Sequence, residues 1–329
     1  MRKRYEILEK IGKGGVSEIL RAYDTELRRE VAIKRLLPLE KTRLNEADAY
    51  GLEREIQALT RLRHPNVVSL FEFGEDRDGP FAVLELIEGE TLQKVVYEGA
   101  LSYGDFLDVA RQLLSAIIAA DEMGLVHRDI KPGNIMLTPM PSGDLQVKVL
   151  DFGVSKFQQF PTAQTVDIRG AVIGSADYIS PEQVEHRPID HRADLYSIGC
   201  VLYYSLTQRK PFRGANIQET VRNHLNHNLV PVRSIRSDLP GIVAAWLMKL
   251  LERDPDDRPM NGRVALAMLE KACRLATIPD ADLEEFQSSE DATASIELGG
   301  HHLPPQETNT PTDPGQRIPI AKTPKKVGA

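Results

Sequence analysis

Only two cysteines occur in the 329 residues, Cys200 and Cys273. That is too few for a disulfide framework, which excludes a small stapled scaffold and leads us to expect a reducing compartment. Positive charge is not in excess. Lys and Arg number 41 against 48 Asp and Glu, a net charge of −7, which argues against general nucleic-acid binding. No run approaches the ~18 apolar residues needed to span a bilayer. The basic start Arg2-Lys3-Arg4 has no apolar segment behind it of the kind a signal peptide carries. A cytoplasmic location is expected, the alternative being the cytosolic part of a membrane-anchored protein.

What is present suffices for a core. Hydrophobic residues make up 41% and charged residues 27%, and the length suits one large domain or two small ones. Composition shifts near residue 275. Beyond it come Asp280, Asp282, Glu284 and Glu285, then Ser288-Ser289, then a Pro/Thr-rich run. The expected organisation is a folded unit over 1–275 and a disordered tail, acidic and then Pro/Thr-rich, over 276–329.

The folded part opens with strands. Tyr5 to Ile11 and Val16 to Ala22 flank a glycine cluster, Val31 to Lys34 is β-branched and alternating, and Val67 to Phe73 and Phe81 to Leu86 read as two more around the turn 76–80. A helix is expected over Leu52–Leu62. Another opens at Ser102 with Asp105 as a capping box and runs to Gly124. Asp194 to Thr207 is nearly apolar throughout and so reads as a central helix. Strands come first and helices later, which predicts an α+β architecture with two lobes.

Chemistry-bearing residues fall at the element ends. Gly12-Lys13-Gly14-Gly15-Val16-Ser17 lies between two strands, where glycines let the backbone approach phosphate oxygens. A tight hairpin would use the same residues. A dinucleotide-binding loop would need a helix next, and a strand follows instead. On its strand, Lys34 shares one face with Ala32, a methyl beside an ammonium that leaves room for a flat ligand. A lysine reaching water from a strand end is the plainer alternative. Glu55 falls on the apolar stripe of its helix, where an unpaired carboxylate is costly, so Lys34 is its expected partner unless it faces solvent at the helix edge.

The run His127-Arg128-Asp129-Ile130-Lys131-Pro132-Gly133-Asn134 concentrates an acid, cations and an amide in one short turn. Asp129 is suited to accept a proton, Lys131 to hold a phosphate and Asn134 to ligate a hard cation. Asp151, at the end of a strand and before Phe152-Gly153, adds a second oxygen ligand suited to Mg²⁺, although Asp-X-Gly taken singly reads as an ordinary turn.

Glycine loop, Val31-Ala32-Ile33-Lys34, Glu55, His127-Arg128-Asp129 with Asn134, and Asp151-Phe152-Gly153 stand in the order found in protein kinases. Over about Tyr5 to Arg274 the sequence resembles the eukaryotic-like serine/threonine protein kinases. Ile179 to Gln183 and Asp194 to Cys200 look most like bacterial members.

The resemblance implies a bilobal fold. An antiparallel β N-lobe with one main helix would span about 1–87, and a mainly α-helical C-lobe about 88–275. It implies ATP and Mg²⁺ as cofactors. ATP would be covered by Ile11, Gly12, Lys13, Gly14, Gly15, Val16, Ser17, Glu18 and Ile19, and its adenine held by Ile11, Ile19, Ala32 and Met136. Leu84 would stand as gatekeeper, with Glu85 and Ile87 as hinge backbone.

In the same reading Lys34, paired with Glu55, contacts the phosphates. Asp129 deprotonates the substrate hydroxyl, Lys131 steadies the γ-phosphate, and Asn134 and Asp151 hold the metal. Lys131, two residues after the aspartate, points to protein Ser/Thr substrates. Glu182 would pair with Arg258, and Asp194 would brace the catalytic loop. Ser17, Ser175 and Ala176 depart from the family's usual residues. Thr162 and Thr165 are expected acceptors of regulatory phosphorylation in trans, through a transient homodimer. A nucleotide-binding scaffold with vestigial catalysis and a small-molecule kinase are the rivals. Intact Lys34, Asp129, Asn134 and Asp151 weigh against the first, and the peptide-seating stretch Gly174 to Glu182 against the second.

Overall fold

A computed structural model describes residues 4–13, 17–36, 57–152 and 176–277, with backbone only at 13 and 36. The first strands are β1 (Tyr5–Lys13), β2 (Ser17–Asp24), β3 (Arg29–Leu36), β4 (Leu70–Asp76) and β5 (Gly79–Glu85). They form one antiparallel sheet in the order β1-β2-β3-β5-β4. Alternation decides its faces. Tyr5, Ala22, Val31, Ile33, Phe81 and Val83 make a small core on one side. Across β3 and β5, Ala32 lies opposite Leu84 and Lys34 opposite Ala82, on the other face.

Two boundaries differ from the sequence reading. β4 begins at Leu70 rather than Val67, because Val67 forms an isolated parallel bridge to Val149. The loop between β4 and β5 narrows to Arg77-Asp78, with Gly79 at φ 113° opposite Asp76 and Pro80 inside β5. Pro80 is tolerated there because the β3 pairing begins only at Phe81, so its missing N–H interrupts no bond on that side. Of the helix expected over 52–62, the described part is 57–61, closed by Leu62 N–H on the Ala58 carbonyl at 2.9 Å.

The remaining described residues are mainly helical. A second antiparallel sheet joins β6 (Glu90–Thr91), β7 (Ile135–Pro139) and β8 (Leu145–Val149). The helices are α1 (Leu92–Glu98), α2 (Tyr103–Asp121), α3 (Pro181–Val184), α4 (Arg192–Thr207), α5 (Ile217–Leu225), α6 (Gly241–Leu250) and α7 (Gly262–Leu275). Ser102 caps α2, accepting the Asp105 N–H at 3.1 Å and donating its hydroxyl to the Asp105 carboxylate at 2.7 Å. Every position of α4 except Arg192 and Tyr204 is buried, which makes it the axis of the main core. The architecture is α+β and bilobal, a strand-rich first lobe and a helical second.

Candidate active site

β8 ends the second sheet and aims the chain at the first. Val68 N–H donates to the Val149 carbonyl at 2.9 Å and Val149 N–H to the Asn66 carbonyl at 2.8 Å, stitching the lobes together. Asp151 then adopts φ 62°, a left-handed conformation that costs a non-glycine residue about 1–3 kcal/mol. With that turn its carboxylate meets the Lys34 ammonium at 2.7 Å, the lysine side chain 8% exposed. Glu55, the partner expected for Lys34, lies outside the described residues.

The loop before β7 is held by its own side chains. Asp194, on α4, accepts the His127 N–H at 2.7 Å and the Arg128 N–H at 2.8 Å, one on each oxygen. Burial pushes the Asp194 carboxyl above its ordinary range, against the pull of His127 and those two amides. Arg128 is thereby held at φ 68°. His127 Nε2 faces the Leu150 carbonyl at 2.7 Å and Nδ1 accepts the Asp129 N–H at 3.2 Å, an arrangement that puts the ring proton on Nε2. Its ring packs on Phe152 with centroids 4.5 Å apart.

Asp129 emerges from this loop with two neighbours. Lys131 Nζ donates to its carboxylate at 2.6 Å and Asn134 Nδ2 at 3.1 Å, the same amide also reaching the Asp129 carbonyl at 2.9 Å. The side-chain amide nitrogen of Asn134 is thus spent on Asp129.

Between the lobes lies a cleft of about 650 Å³. Ile11, Ile19, Ala32, Lys34, Leu84, Glu85, Ile87, Met136, Asn134 and Asp151, all singled out in the sequence, line it. Asp129 and Lys131 stand beside it, next to Gly133 and Asn134. Gly12 pairs with Ile19 and Lys13 with Glu18 across the β1–β2 hairpin. Ser17 is buried, and the Glu18 carboxylate accepts from Lys10 at 2.7 Å. Gly14, Gly15, Val16, Thr162 and Thr165 lie outside the described residues.

Val68 and Leu150 also line the cleft and were missed, as was Lys148 behind it. Lys148 grips the Glu85 carboxylate at 2.9 Å, while the Ser69 N–H donates to the same group at 3.1 Å. The only signal for Lys148 was its place between two valines of an alternating strand. The expected pair of Glu182 and Arg258 is present, bidentate at 2.7 and 2.9 Å and almost wholly buried. Among the described residues no group of three or more His, Cys, Asp or Glu side chains is placed to hold a metal, and no helix is long and apolar enough to cross a membrane.

The chain is similar to known proteins. A family model described as protein kinase domain matches residues 5–269. A probable serine/threonine-protein kinase of Clostridium acetobutylicum is 35% identical over 264 residues, which is 80% of this chain and 39% of that protein. The serine/threonine-protein kinase PksC of Streptomyces coelicolor is 35% identical over 98% of this chain and 58% of its own. The serine/threonine-protein kinase PknB of Mycolicibacterium smegmatis is 34% identical over 78% of this chain and 40% of its own. The chain therefore spans 39 to 58% of the length of these relatives. A crystal structure of Rad53 residues 1–466 in complex with AMP-PNP superposes with a TM-score of 0.65 at 25% identity, covering 82% of this chain and 66% of that one.

Proposed function

This chain belongs to the protein kinase family, and on that footing we propose that it is a serine/threonine protein kinase, moving the γ-phosphoryl group of ATP to hydroxyls of protein substrates. The observation that carries the reading is the Asp129 carboxylate, fixed by Lys131 and Asn134 at the edge of a cleft large enough for a nucleotide. Asp129 takes the proton of the substrate hydroxyl as its oxygen bonds to the γ-phosphorus. The bond to the β-phosphate oxygen breaks, and ADP leaves with that electron pair. Such a transfer asks little covalent work of the protein, so positioning and charge neutralisation dominate.

Ile11, Ile19, Ala32 and Met136 form apolar walls suited to a flat base. Leu84, Glu85 and Ile87 form the edge of the cleft where β5 leaves the sheet. Lys34 supplies the cation for the α/β-phosphates and Lys131 the one for the γ-phosphate. The Asp151 carboxylate and the Asn134 carbonyl fit Mg²⁺, which takes hard oxygens, one or two from carboxylates and the rest from phosphates and water. When bound, that ion neutralises phosphate charge. With Lys34 on Asp151 at 2.7 Å, a cation already occupies the carboxylate that a metal and a triphosphate would share.

The kinase domain of this reading is 1–275, with 276–329 as its tail, in a cytoplasmic, bacterial signalling role. Thr162 and Thr165, phosphorylated in trans within a transient homodimer, would be its control points. The test is incubation of the purified chain with Mg-ATP, Asp129→Asn alongside, followed by mass-spectrometric mapping of phosphate on the chain and on an added basic protein. Loss of the proton acceptor should cost roughly 10²–10⁴-fold in rate. Nucleotide binding without phosphate on either protein would leave a scaffold and refute the reading.

A further inference from the structure

Residues 125–131 are neither helix nor strand, so the direction of the Asp129 side chain depends on what holds the peptide groups around it. All four backbone polar groups of Arg128 and Asp129 are held by side chains. The Arg128 N–H donates to Asp194 at 2.8 Å and the Asp129 N–H to His127 Nδ1 at 3.2 Å. The Asp129 carbonyl accepts from Asn134 Nδ2 at 2.9 Å. The fourth group, the Arg128 carbonyl, accepts from Gln183 Nε2 at 2.9 Å, across 55 residues of sequence.

Gln183 comes from the other irregular segment. It is 4% exposed, on the short helix α3, which Glu182 ties to Arg258. Its Oε1 accepts the Ser180 N–H at 3.1 Å and the Ser180 hydroxyl at 3.0 Å. The amide cannot be turned round. A backbone N–H only donates and a backbone carbonyl only accepts, so Oε1 must face Ser180 and Nε2 must face Arg128. In the sequence Gln183 was one letter of a stretch like that of bacterial kinases, with no task attached.

The Arg128 carbonyl and the Asp129 N–H belong to one peptide plane, with Gln183 on one edge and His127 on the other. Arg128 stands at φ 68°, which a non-glycine residue keeps only where its surroundings impose it. Releasing the carbonyl lets that plane turn about ψ of Arg128 and φ of Asp129. The second rotation swings the Asp129 carboxylate.

We propose that Gln183 is a positioning residue for Asp129: its amide ties the Arg128–Asp129 peptide plane to α3, so that the segment 176–183 sets the direction of the carboxylate. The task of that carboxylate rests on the kinase reading above. The tie itself does not.

Two replacements separate this from a residue that serves α3 alone. Gln183→Met fills the space and makes neither bond. Gln183→Glu keeps an oxygen for Ser180 and has a donor for Arg128 only while protonated; once ionised it sets a carboxylate against a carbonyl. Hydrogen exchange at the Arg128 and Asp129 amides is read in wild type and Gln183→Met. The single-turnover rate of transfer from ATP to a generic protein is read in all three, from about pH 6 to about pH 9.

In Gln183→Met exchange quickens and transfer slows, each by about tenfold, the worth of one buried hydrogen bond, while KM for ATP and for the protein holds. In Gln183→Glu the rate relative to wild type falls as pH rises, to that of Gln183→Met or below. Unchanged exchange in Gln183→Met overturns the proposal, as does a wild-type rate in it, or in Gln183→Glu near the alkaline end. So does a loss seen only as a raised KM for the protein, the mark of a residue serving its own segment. Should Gln183→Met not fold, Gln183→Glu decides by itself, because its two protonation states are compared in one chain. If the wild type transfers no phosphate, the kinase reading falls, and exchange at the two amides still judges the tie.

Discussion

Asp194→Asn is the sharpest test of how the loop carrying Asp129 is held. Asp194 is 2% exposed and gives one oxygen to the His127 N–H and the other to the Arg128 N–H. Asparagine keeps one acceptor and turns an NH₂ group toward the second amide, so a charge-assisted bond is lost and two donors face each other. Such a bond is worth about 1.5–3 kcal/mol and an unsatisfied buried amide costs about 1–3 kcal/mol. Removing a carboxylate already disfavoured by burial returns part of this, leaving a net loss of about 2–3 kcal/mol. Arg128 is held at φ 68° by one of those amide bonds, so the loop ahead of Asp129 should relax and phosphoryl transfer fall with it. Equilibrium urea unfolding reads the stability loss as a shifted midpoint at constant slope, with transfer to a generic protein measured in parallel. Asp238→Asn is the control, an exposed carboxylate on Arg236 whose ion pair is screened by water and salt. An Asp194→Asn protein as stable and as active as that control would refute the reasoning.

Acid should destabilise the fold through His224. Its pKa is about 3 in the native state against 6.5 for a free imidazole, so the unfolded chain binds the extra proton between those values. Stability is complete above pH 6.5 and falls by about 1.4 kcal/mol per unit as pH drops toward 3. His64, lowered by burial, adds in the same direction. Urea midpoints from pH 7 to 4.5 should therefore slope less in His224→Gln, and identical slopes would contradict the assignment. Gly89→Ala should damage the mouth of the cleft, because an added Cβ would run into the Leu137 carbonyl and stand 2.9 Å from Thr138 Oγ1. The β6–β7 pairing must then move, at about 1–3 kcal/mol. A thermal melt and a nucleotide titration should both register it, and unchanged values in both would show that the strand yields freely.

Legibility from sequence followed the distance between partners. The alternation in Val31-Ala32-Ile33-Lys34 sorts the faces of β3, and the structure has Val31 and Ile33 in a core and Ala32 and Lys34 on the cleft. Asp129, Lys131 and Asn134 are neighbours in the chain, so their meeting needs only one turn. Lys148 and Glu85 are 63 residues apart, and nothing in either neighbourhood says that β8 runs behind the end of β5. Val68 and Leu150 were hidden for the same reason: each reads as one more apolar residue, and only the joining of segment 66–68 to β8 turns them toward the cleft. The start of β4 was misplaced because Val67 has the β-branched character of a strand while its bridge goes to β8.

One group of buried polar residues gathers round the two irregular segments 127–134 and 176–183: His127, Asn134, Ser180, Glu182, Gln183, Asp194, Ser197 and Arg258 lie in or against them. Helices and strands satisfy their own backbone groups, whereas these segments cannot, so neighbouring elements lend side chains. Asp194 and Ser197 on α4 serve one segment each, and Gln183 Nε2 joins the two by donating to the Arg128 carbonyl at 2.9 Å. The apolar core fixes where α4 stands, and α4 in turn fixes both segments. Truncating a core leucine such as Leu195 should therefore lower stability and every activity together. Replacing a polar link should instead act on the segment it holds, which is why such replacements can distinguish the loop carrying Asp129 from the segment 176–183.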